Sequence, residues 1–379
     1  MQERCWLERN EFKQDEQDRQ DFVHCFFSFC TLLILSILLI FLLMSTQVLA
    51  NVIRGNTVES VHTGHIYIID GDGREVASVG DPSTVTYFRS ACKAFQLIPC
   101  ITSGAAAAFG FDEEEIALAA ASHSGEPMHV EIASRMLAKA GLTEIDLRCG
   151  SHLPFSSAAA TEMQQAGEQP TQLHNNCFGK HAAMLAFAKH IGADPTTYDS
   201  PENRIQKRIL RCIADFTELP EESLAIGIDG CCVPNFALPV AAMAKSFINL
   251  IAPTRFPEAT QSACRRIVSA MMNHPELIGG SERLDTKIMQ AAEGRLISKV
   301  GADGVWLCGV LPCERWPSGL GIALKIADGD DYLSRPVVAV EILRQLGVLS
   351  TNALSDMSPM PIKNRRGDLV GRVEPSLNI

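Results

Sequence analysis

The sequence predicts an α+β protein in which an antiparallel sheet accompanies a helix-rich region. Residues 65–70 and 75–79 are apolar β-formers on either side of a glycine-containing turn, which indicates a hairpin. Residues 304–310 and 321–326 indicate a second strand pair near the other end of the chain. The residues between these pairs show helical spacing, so terminal strands bracket a helical middle.

Capping residues mark the expected helix starts. Asp112 is followed three residues later by Glu115, the pattern of a capping box, and Pro127 can begin a helix that ends near Gly141. Further helices are predicted from the spacing of apolar residues, at 178–191, 202–216, 281–293 and 335–346.

The composition describes a chain that can bury a large core. It has 379 residues, of which 46% are hydrophobic and 20% charged, and no repeat or linker divides the part after residue 50. Acidic residues number 44 against 33 basic ones, and the net charge of -11 has the wrong sign for holding phosphate backbones. Nucleic acid is therefore not an expected partner.

The cysteines indicate a reducing compartment. There are 13, an odd number, and they are scattered singly except for the adjacent Cys231 and Cys232. This spacing is unlike the disulfide framework of a small secreted domain. Some of these thiols are available to bind metal.

The amino-terminal region carries an apolar run at 22–43 that contains no Asp, Glu, Lys or Arg. Such a run is long enough to cross a bilayer as a helix, as a membrane span or a signal anchor. Lys and Arg are more frequent before the run than just after it, so the positive-inside rule would export the rest of the chain. That orientation conflicts with the reducing compartment.

A second interpretation is that translation starts at Met44 and that residues 1–43 are an upstream extension. The catalytic part would then be cytoplasmic, and a membrane is a partner only if the apolar run is a genuine span. Under both interpretations we expect an extension at 1–50 and a single catalytic domain at 51–379.

The segment 89–93 places Ser90 three residues before Lys93, at the start of a helical stretch. Positions three apart share a helix face, so the lysine can be the base for the serine hydroxyl if its amine is kept neutral. The helix N-terminus also favours the negative charge that develops during attack. A structural or solvated role is the alternative, because Ser-x-x-Lys often occurs by chance.

Small polar residues are crowded at 122–126, where the helix opened by Asp112 ends. Ser122 can be a second hydroxyl nucleophile or a proton relay, with His123 and Glu126 as orienting or acid-base groups. Caps and turn formers are the alternative interpretation of the same residues.

Cysteines in two separate segments suggest a metal site. Cys177 and His181 share a helical face if a helix begins there, and Asp229 and Cys231 lie further along the chain. Two cysteines with His181 as a third donor could make a tetrahedral zinc site. Two alternatives stay open, namely inert buried cysteines and a cysteine nucleophile with His181 as its base.

Lys299 lies just before two glycines, in a segment, 298–304, that leads directly into a predicted strand. A lysine at such a place can point into a cleft, although surface lysines are commoner. The pattern alone does not assign it a role.

Taken together and in this order, these segments resemble the asparaginase II family, the rhizobial-type L-asparaginases. The segments that carry the resemblance are 55–65, 89–93, 122–126, 149–150, 177–181, 229–231 and 299–304. The similarity runs from about residue 52 to about residue 349. It implies a fold like that of serine β-lactamases and penicillin-binding proteins, a homodimer, and hydrolysis of the L-asparagine side-chain amide to L-aspartate and ammonia.

The resemblance also implies roles for the serines and lysines. Ser90 would attack the amide carbon with Lys93 as its base, and Ser122 would form a second tandem with Lys299. Two adjacent lysines would keep each other's pKa down, which lets them supply neutral amines. The expected substrate contacts are Arg89, which would bind a carboxylate or stabilise charge, and Asp229, His123 and Glu126.

The family's zinc site maps onto Cys177, Lys180 and Cys231, with one ion per chain. Lys180 then replaces His181 as the third protein ligand. Because an amine must lose its proton to offer a lone pair, zinc binding and the pKa of this lysine are coupled. The metal would orient asparagine, with water or substrate in the fourth position.

Two other functions compete with this interpretation. A penicillin-binding or β-lactamase-type serine acyl hydrolase would share Ser-x-x-Lys, but those enzymes carry Lys-Thr-Gly where this chain has Lys299, Val300 and Gly301. A non-catalytic, membrane-anchored zinc-binding protein would use Cys177 and Cys231 structurally. This alternative gives no role to either Ser-Lys pair.

Overall fold

The computed structural model describes residues 31–35 and 46–379 of the chain. Residues 31–35 are helical (α1) and lie in a first unit, Met1–Thr46, while a second unit, Gln47–Ile379, carries the other described elements. Apart from 31–35, the apolar run at 22–43 falls outside the described residues, so the membrane span stays a prediction. In the part that is described, no helix combines the length and the apolarity needed to cross a bilayer.

A large antiparallel sheet is built from both ends of the second unit. Its strands are β1 Gln47–Arg54, β2 Thr57–Asp70, β3 Glu75–Val79, β7 Leu296–Val300, β8 Val305–Val310, β9 Leu320–Ile326, β10 Met360–Lys363 and β11 Leu369–Pro375. Their order is β10, β11, β1, β2, β9, β8, β7, and β3 pairs with the second half of β2. The two expected strand pairs are confirmed as β2 with β3 and β8 with β9.

The sequence patterns missed β1, β7, β10 and β11. Strand β7 is buried along its whole length, so it shows no alternation of apolar and polar residues. Lys299 therefore lies inside a strand, which corrects the expectation that it precedes one. Strands β1 and β11 are neighbours although they come from opposite ends of the unit, and no local pattern signals such a pairing.

A second sheet of three short strands positions two segments of the candidate site. It consists of β4 Val85–Tyr87, β5 Ala225–Ile228 and β6 Pro234–Pro239, in the order β4, β6, β5. Both β4 and β5 run antiparallel to β6, so their carboxyl ends lie at the same edge of the sheet. The segments that follow these strands, with Ser90 after β4 and Asp229 after β5, are brought together at that edge.

Helices fill the middle of the chain as expected, and α+β is confirmed as the fold class. They are α2 Lys93–Thr102, α3 Ala105–Ala108, α4 Glu113–Ala119, α5 Pro127–Lys139, α6 Ser157–Gln165, α7 Phe178–His190, α8 Arg204–Thr217, α9 Val240–Ile251, α10 Glu258–Asn273, α11 Pro275–Gly279, α12 Leu284–Ala292 and α13 Ser334–Gln345. The predicted capping box of α4 is present. Asp112 Oδ1 accepts from the Glu115 N–H at 3.0 Å, and Glu115 Oε2 accepts from the Asp112 N–H at 2.9 Å.

Two helices begin later than the sequence predicted. Helix α8 begins at Arg204 because the preceding Asn203 is its N-cap, with Oδ1 accepting from the Ile205 N–H at 3.1 Å. Helix α12 begins at Leu284, and Ser281 lies outside it, donating to Glu126 from its N–H and its hydroxyl. The late start of α12 keeps the 281–283 segment free to contact the loop that carries Ser122.

Candidate active site

Arg89 makes an unusual turn between strand β4 and helix α2. Its φ is +53°, a left-handed conformation that non-glycine residues rarely adopt. The side chain of Asn235, on β6, supports this turn by accepting from the Arg89 N–H at 3.0 Å. Residues 89–92 then form a short 3-10 turn before α2. Strained backbone of this kind clusters at functional sites, and here it presents Ser90, which is half-buried. The Ser90 carbonyl accepts from the Lys93 N–H, whereas its hydroxyl has no hydrogen-bond partner among the described residues.

Lys93 is buried, with 1% of its surface exposed, and its amine contacts three oxygen atoms. Nζ donates to the carbonyl oxygens of Ala121 and Asn176, and it lies 2.9 Å from the Ser122 hydroxyl. Carbonyl oxygens can only accept, whereas a hydroxyl can also donate. If the Lys93 amine is neutral, its two N–H groups would therefore donate to the two carbonyls, and its lone pair would accept from the Ser122 hydroxyl.

Lys299 is the second buried lysine of the site. Its Nζ donates to Val300 O at 3.0 Å and lies 3.5 Å from the Asp285 carboxylate. Burial lowers the pKa of Lys299 to about 8, with Lys93 and Arg283 acting in the same direction and Asp285 opposing them. The expected lowering of one lysine's pKa by the other is thus present at Lys299.

The pairing of Ser122 with Lys299 stays a prediction. In the structure the Ser122 hydroxyl is hydrogen-bonded to Lys93, from helix α2. The resemblance implied one lysine for each serine. The geometry places the Lys93 amine between the segments that carry the two serines.

Arg89 is held between two carboxylates. Its guanidinium contacts Asp229 Oδ1 at 3.1 Å, as well as Asp303, in the turn between β7 and β8. Asp229 is mostly buried and Asp303 is largely exposed. Asp229 was among the expected site residues but Asp303 was not, although it lies inside the 299–304 segment that carried the resemblance. Its partner Arg89, in the turn after β4, is distant in sequence, so spacing could not reveal the contact.

His123 has an unsatisfied donor next to Ser122. Its Nδ1 accepts from the Gly125 N–H at 3.2 Å, which leaves the proton on Nε2, and Nε2 is buried without a partner among the described residues. The ring stacks on His129 with centroids 4.9 Å apart. Burial, and then His129 and Lys93, hold the pKa of His123 well below its usual value, so the imidazole is neutral.

Glu126 links two loops at the rim of the site. Its carboxylate accepts from the Ser281 N–H at 3.0 Å and from the Ser281 hydroxyl at 2.9 Å. The two segments border a groove of about 460 Å³ that is also lined by Phe155 and Arg283. Both oxygens of the Glu126 carboxylate therefore already accept a hydrogen bond in this structure.

The predicted zinc ligands are brought together. Cys177, Lys180 and Cys231 are each at most 5% exposed, and Lys180 Nζ lies 3.1 Å from Cys231 Sγ. A hydrogen bond from the Cys177 thiol, together with Lys180, lowers the pKa of Cys231 to about 5, although burial opposes this. Burial would lower the pKa of Lys180, but the neighbouring sulfurs outweigh it and raise that pKa. Two sulfurs and one amine in contact form a donor set that suits zinc.

His181 lies outside this donor set. Its Nδ1 is 2.7 Å from the Tyr198 hydroxyl, and its Nε2 has no partner among the described residues. Within residues 31–35 and 46–379, no three His, Cys, Asp or Glu side chains form a group that could hold a metal ion. A site here would depend on the Lys180 amine as the third ligand.

The chain matches a known protein family over most of its length. A family model described as L-asparaginase II matches residues 50–375. The comparison with curated proteins gave no match. Among solved structures, the chain is similar to a probable glutaminase from Bacillus subtilis, with a TM-score of 0.38 and 12% identity over 76% of this chain and 85% of that one. It is also similar to a β-lactamase from Burkholderia ambifaria, with a TM-score of 0.39 and 14% identity over 76% of this chain and 94% of that one.

Both solved structures are distant from this chain. Their TM-scores and identities are low, so no residue role is transferred from them.

The two serines should differ in their effect on stability. Ser122→Ala should lower the free energy of unfolding by about 1 kcal/mol, because the buried Lys93 amine loses one of its three partners. Ser90→Ala should change it by less than about 0.5 kcal/mol, because its hydroxyl is unpaired. Urea unfolding monitored by circular dichroism measures both values, and equal losses would contradict the hydrogen-bond arrangement described above.

Proposed function

Because the chain belongs to the L-asparaginase II family, we propose that it hydrolyses the side-chain amide of L-asparagine to L-aspartate and ammonia. The observation that carries the proposal is the buried Lys93 amine, which is hydrogen-bonded to Ser122 and lies one helical turn from the unpaired Ser90 hydroxyl. Amide hydrolysis by a serine requires a nucleophile, a base and a group that accepts charge. The described residues supply candidates for each.

Ser90 is the nucleophile in this proposal. Its oxygen attacks the amide carbon, and its proton passes to Lys93, with the Ser122 hydroxyl as a relay on the same amine. The tetrahedral oxyanion then collapses, the leaving nitrogen takes up the proton, and ammonia departs. Water hydrolyses the resulting aspartyl ester, with Lys93 again as the base, and Ser90 is restored.

The free amino acid is held by charged groups at the rim. Arg89 binds the substrate's α-carboxylate, and Asp229 orients the guanidinium through its 3.1 Å contact. The unpaired Nε2–H of His123 offers a further donor beside Ser122. Glu126 contributes to binding through the loop that it ties to Ser281.

Zinc is the proposed cofactor, with Cys177, Lys180 and Cys231 as its protein ligands and one ion per chain. A zinc ion supplies Lewis-acid polarisation and a fixed point that orients a polar substrate group. Thiol and amine donors both bind better as the deprotonated groups, so zinc competes with protons at this site. The homodimer implied by the family resemblance also remains a proposal.

Ammonia release from L-asparagine tests the proposed activity. The full chain should release ammonia, and Ser90→Ala should lower kcat/KM by about 1000-fold or more because the nucleophile is lost. Ser103→Ala, at the end of the same helix, is the matched control and should behave as the wild type. Hydrolysis of nitrocefin without hydrolysis of asparagine would favour the β-lactamase alternative, and unchanged activity in Ser90→Ala would reject Ser90 as the nucleophile.

Metal analysis tests the proposed cofactor. Purified chain should hold one zinc per molecule, and Cys177→Ser and Lys180→Met should each lower the bound zinc, because each removes one of three protein ligands. Cys100→Ser is the control, since Cys100 is buried beside α7 but contacts Ala183 O instead of the donor set. Elemental analysis after dialysis gives the zinc content, and wild-type loading in both ligand variants would refute the site.

A further inference from the structure

Asp285 is a buried carboxylate to which the sequence pattern assigned no role. It lies in the first turn of helix α12 and is 1% exposed. Its Oδ1 accepts from the Ser298 hydroxyl at 2.7 Å, and its Oδ2 accepts from the Val300 N–H at 2.9 Å. Both donors belong to strand β7, so this carboxylate joins the start of α12 to the strand that carries Lys299.

The donors to Asp285 are themselves fixed by packing. The indole N–H of Trp306, on the neighbouring strand β8, donates to the Ser298 oxygen at 2.8 Å. Trp306 is fully buried, so it cannot turn away to solvent. The chain from Trp306 through Ser298 to Asp285 sets the orientation of the carboxylate before any substrate is present.

Asp285 is the acidic group that faces Lys299. The Lys299 amine lies 3.5 Å from Asp285 Oδ2, and both side chains are at most 2% exposed. Among the described residues, the next largest charged influences on Lys299 are positive and come from Lys93 on α2 and Arg283 just before α12. Strand β8 is the neighbour of β7 in the sheet, and it carries no charged side chain. An isolated buried ammonium would be strongly disfavoured, so the carboxylate is what allows Lys299 to hold a proton there.

We propose that Asp285 is a positioning residue of the active site, which fixes the Lys299 amine beside Lys93 and keeps a proton on it. The two lysines then differ in their surroundings. Lys93 faces two carbonyls and a hydroxyl, whereas Lys299 faces a carboxylate and a carbonyl. Only Lys299 has a carboxylate partner, so the ammonium form is favoured by a negative neighbour at Lys299 and by none of these contacts at Lys93. The catalytic meaning of this difference rests on the proposed function, but the difference itself does not.

The sign of the expected change follows from the groups around Lys299. Burial, Lys93 and Arg283 lower its pKa, Asp285 raises it, and the net value is about 8. Replacing the carboxylate by an amide removes the one contribution that favours the ammonium. The titration of Lys299 must therefore move to lower pH in Asp285→Asn.

The test is a pH titration of the intact full chain labelled with [6-13C]lysine. Lys299→Arg identifies the Lys299 signal by its disappearance. In Asp285→Asn the midpoint of that signal should lie at least about one pH unit below the wild-type midpoint. Glu282→Gln is the matched control, because Glu282 is exposed, pairs with Lys287 and lies three residues away. An unchanged midpoint in Asp285→Asn would overturn the proposal.

A kinetic readout separates positioning from a merely structural role. The limb of the kcat/KM profile for L-asparagine that belongs to Lys299 should move to lower pH in Asp285→Asn, and Glu282→Gln should leave it in place. A uniform loss of activity at every pH would indicate a structural role and contradict the proposal. If no chain hydrolyses asparagine, the proposed function fails, while the nuclear magnetic resonance titration still tests Asp285.

The wild-type chain keeps the proposal testable if Asp285→Asn does not fold. Its Lys299 signal should titrate near pH 8. An amine that stays neutral down to about pH 6 would show that Asp285 does not keep a proton on it and would overturn the proposal.

Discussion

The burial of two lysine amines is the constraint on which the site depends. Neither Lys93 nor Lys299 has more than 1% of its surface exposed, so each amine must find its partners within the protein. Lys93 draws together helix α2, the loop after α4 and the loop before α7 through the carbonyls of Ala121 and Asn176. Lys299 joins β7 to α12 through Asp285. The hydrogen bonds and the ion pair of these two amines therefore bring together most of the segments that carry candidate catalytic groups.

Local patterns predicted the elements whose signals are local. The capping box at Asp112 and Glu115 and the hairpin of β2 and β3 were both found, because each depends on residues a few positions apart. Strand β1 and its partner β11 come from opposite ends of the unit, and the buried strand β7 shows no alternation. Neither kind of strand leaves a pattern that spacing can detect.

The candidate site was likewise predictable only where its signals are local in the sequence. Helical spacing predicted Ser90 and Lys93 on one helix face, whereas in the structure residues 89–92 form a 3-10 turn and α2 begins at Lys93. The family resemblance, not spacing, predicted the group of Cys177, Lys180 and Cys231. The hydrogen bond from Lys93 to Ser122 and the contact of Asp285 with Lys299 depend on how helices pack against strands. An acidic residue in the first turn of a helix is also common for reasons of the helix dipole, so Asp285 carried no distinguishing signal.

In the proposed reaction, Ser90 is acylated while the buried lysines near it accept and donate protons. Rapid acid quenching of the full chain during turnover of L-asparagine, followed by peptide mass spectrometry, tests this claim most directly. We expect an aspartyl ester on the peptide that contains Ser90. An ester on the Ser122 peptide, or rapid ammonia release with no ester on either peptide, would contradict it.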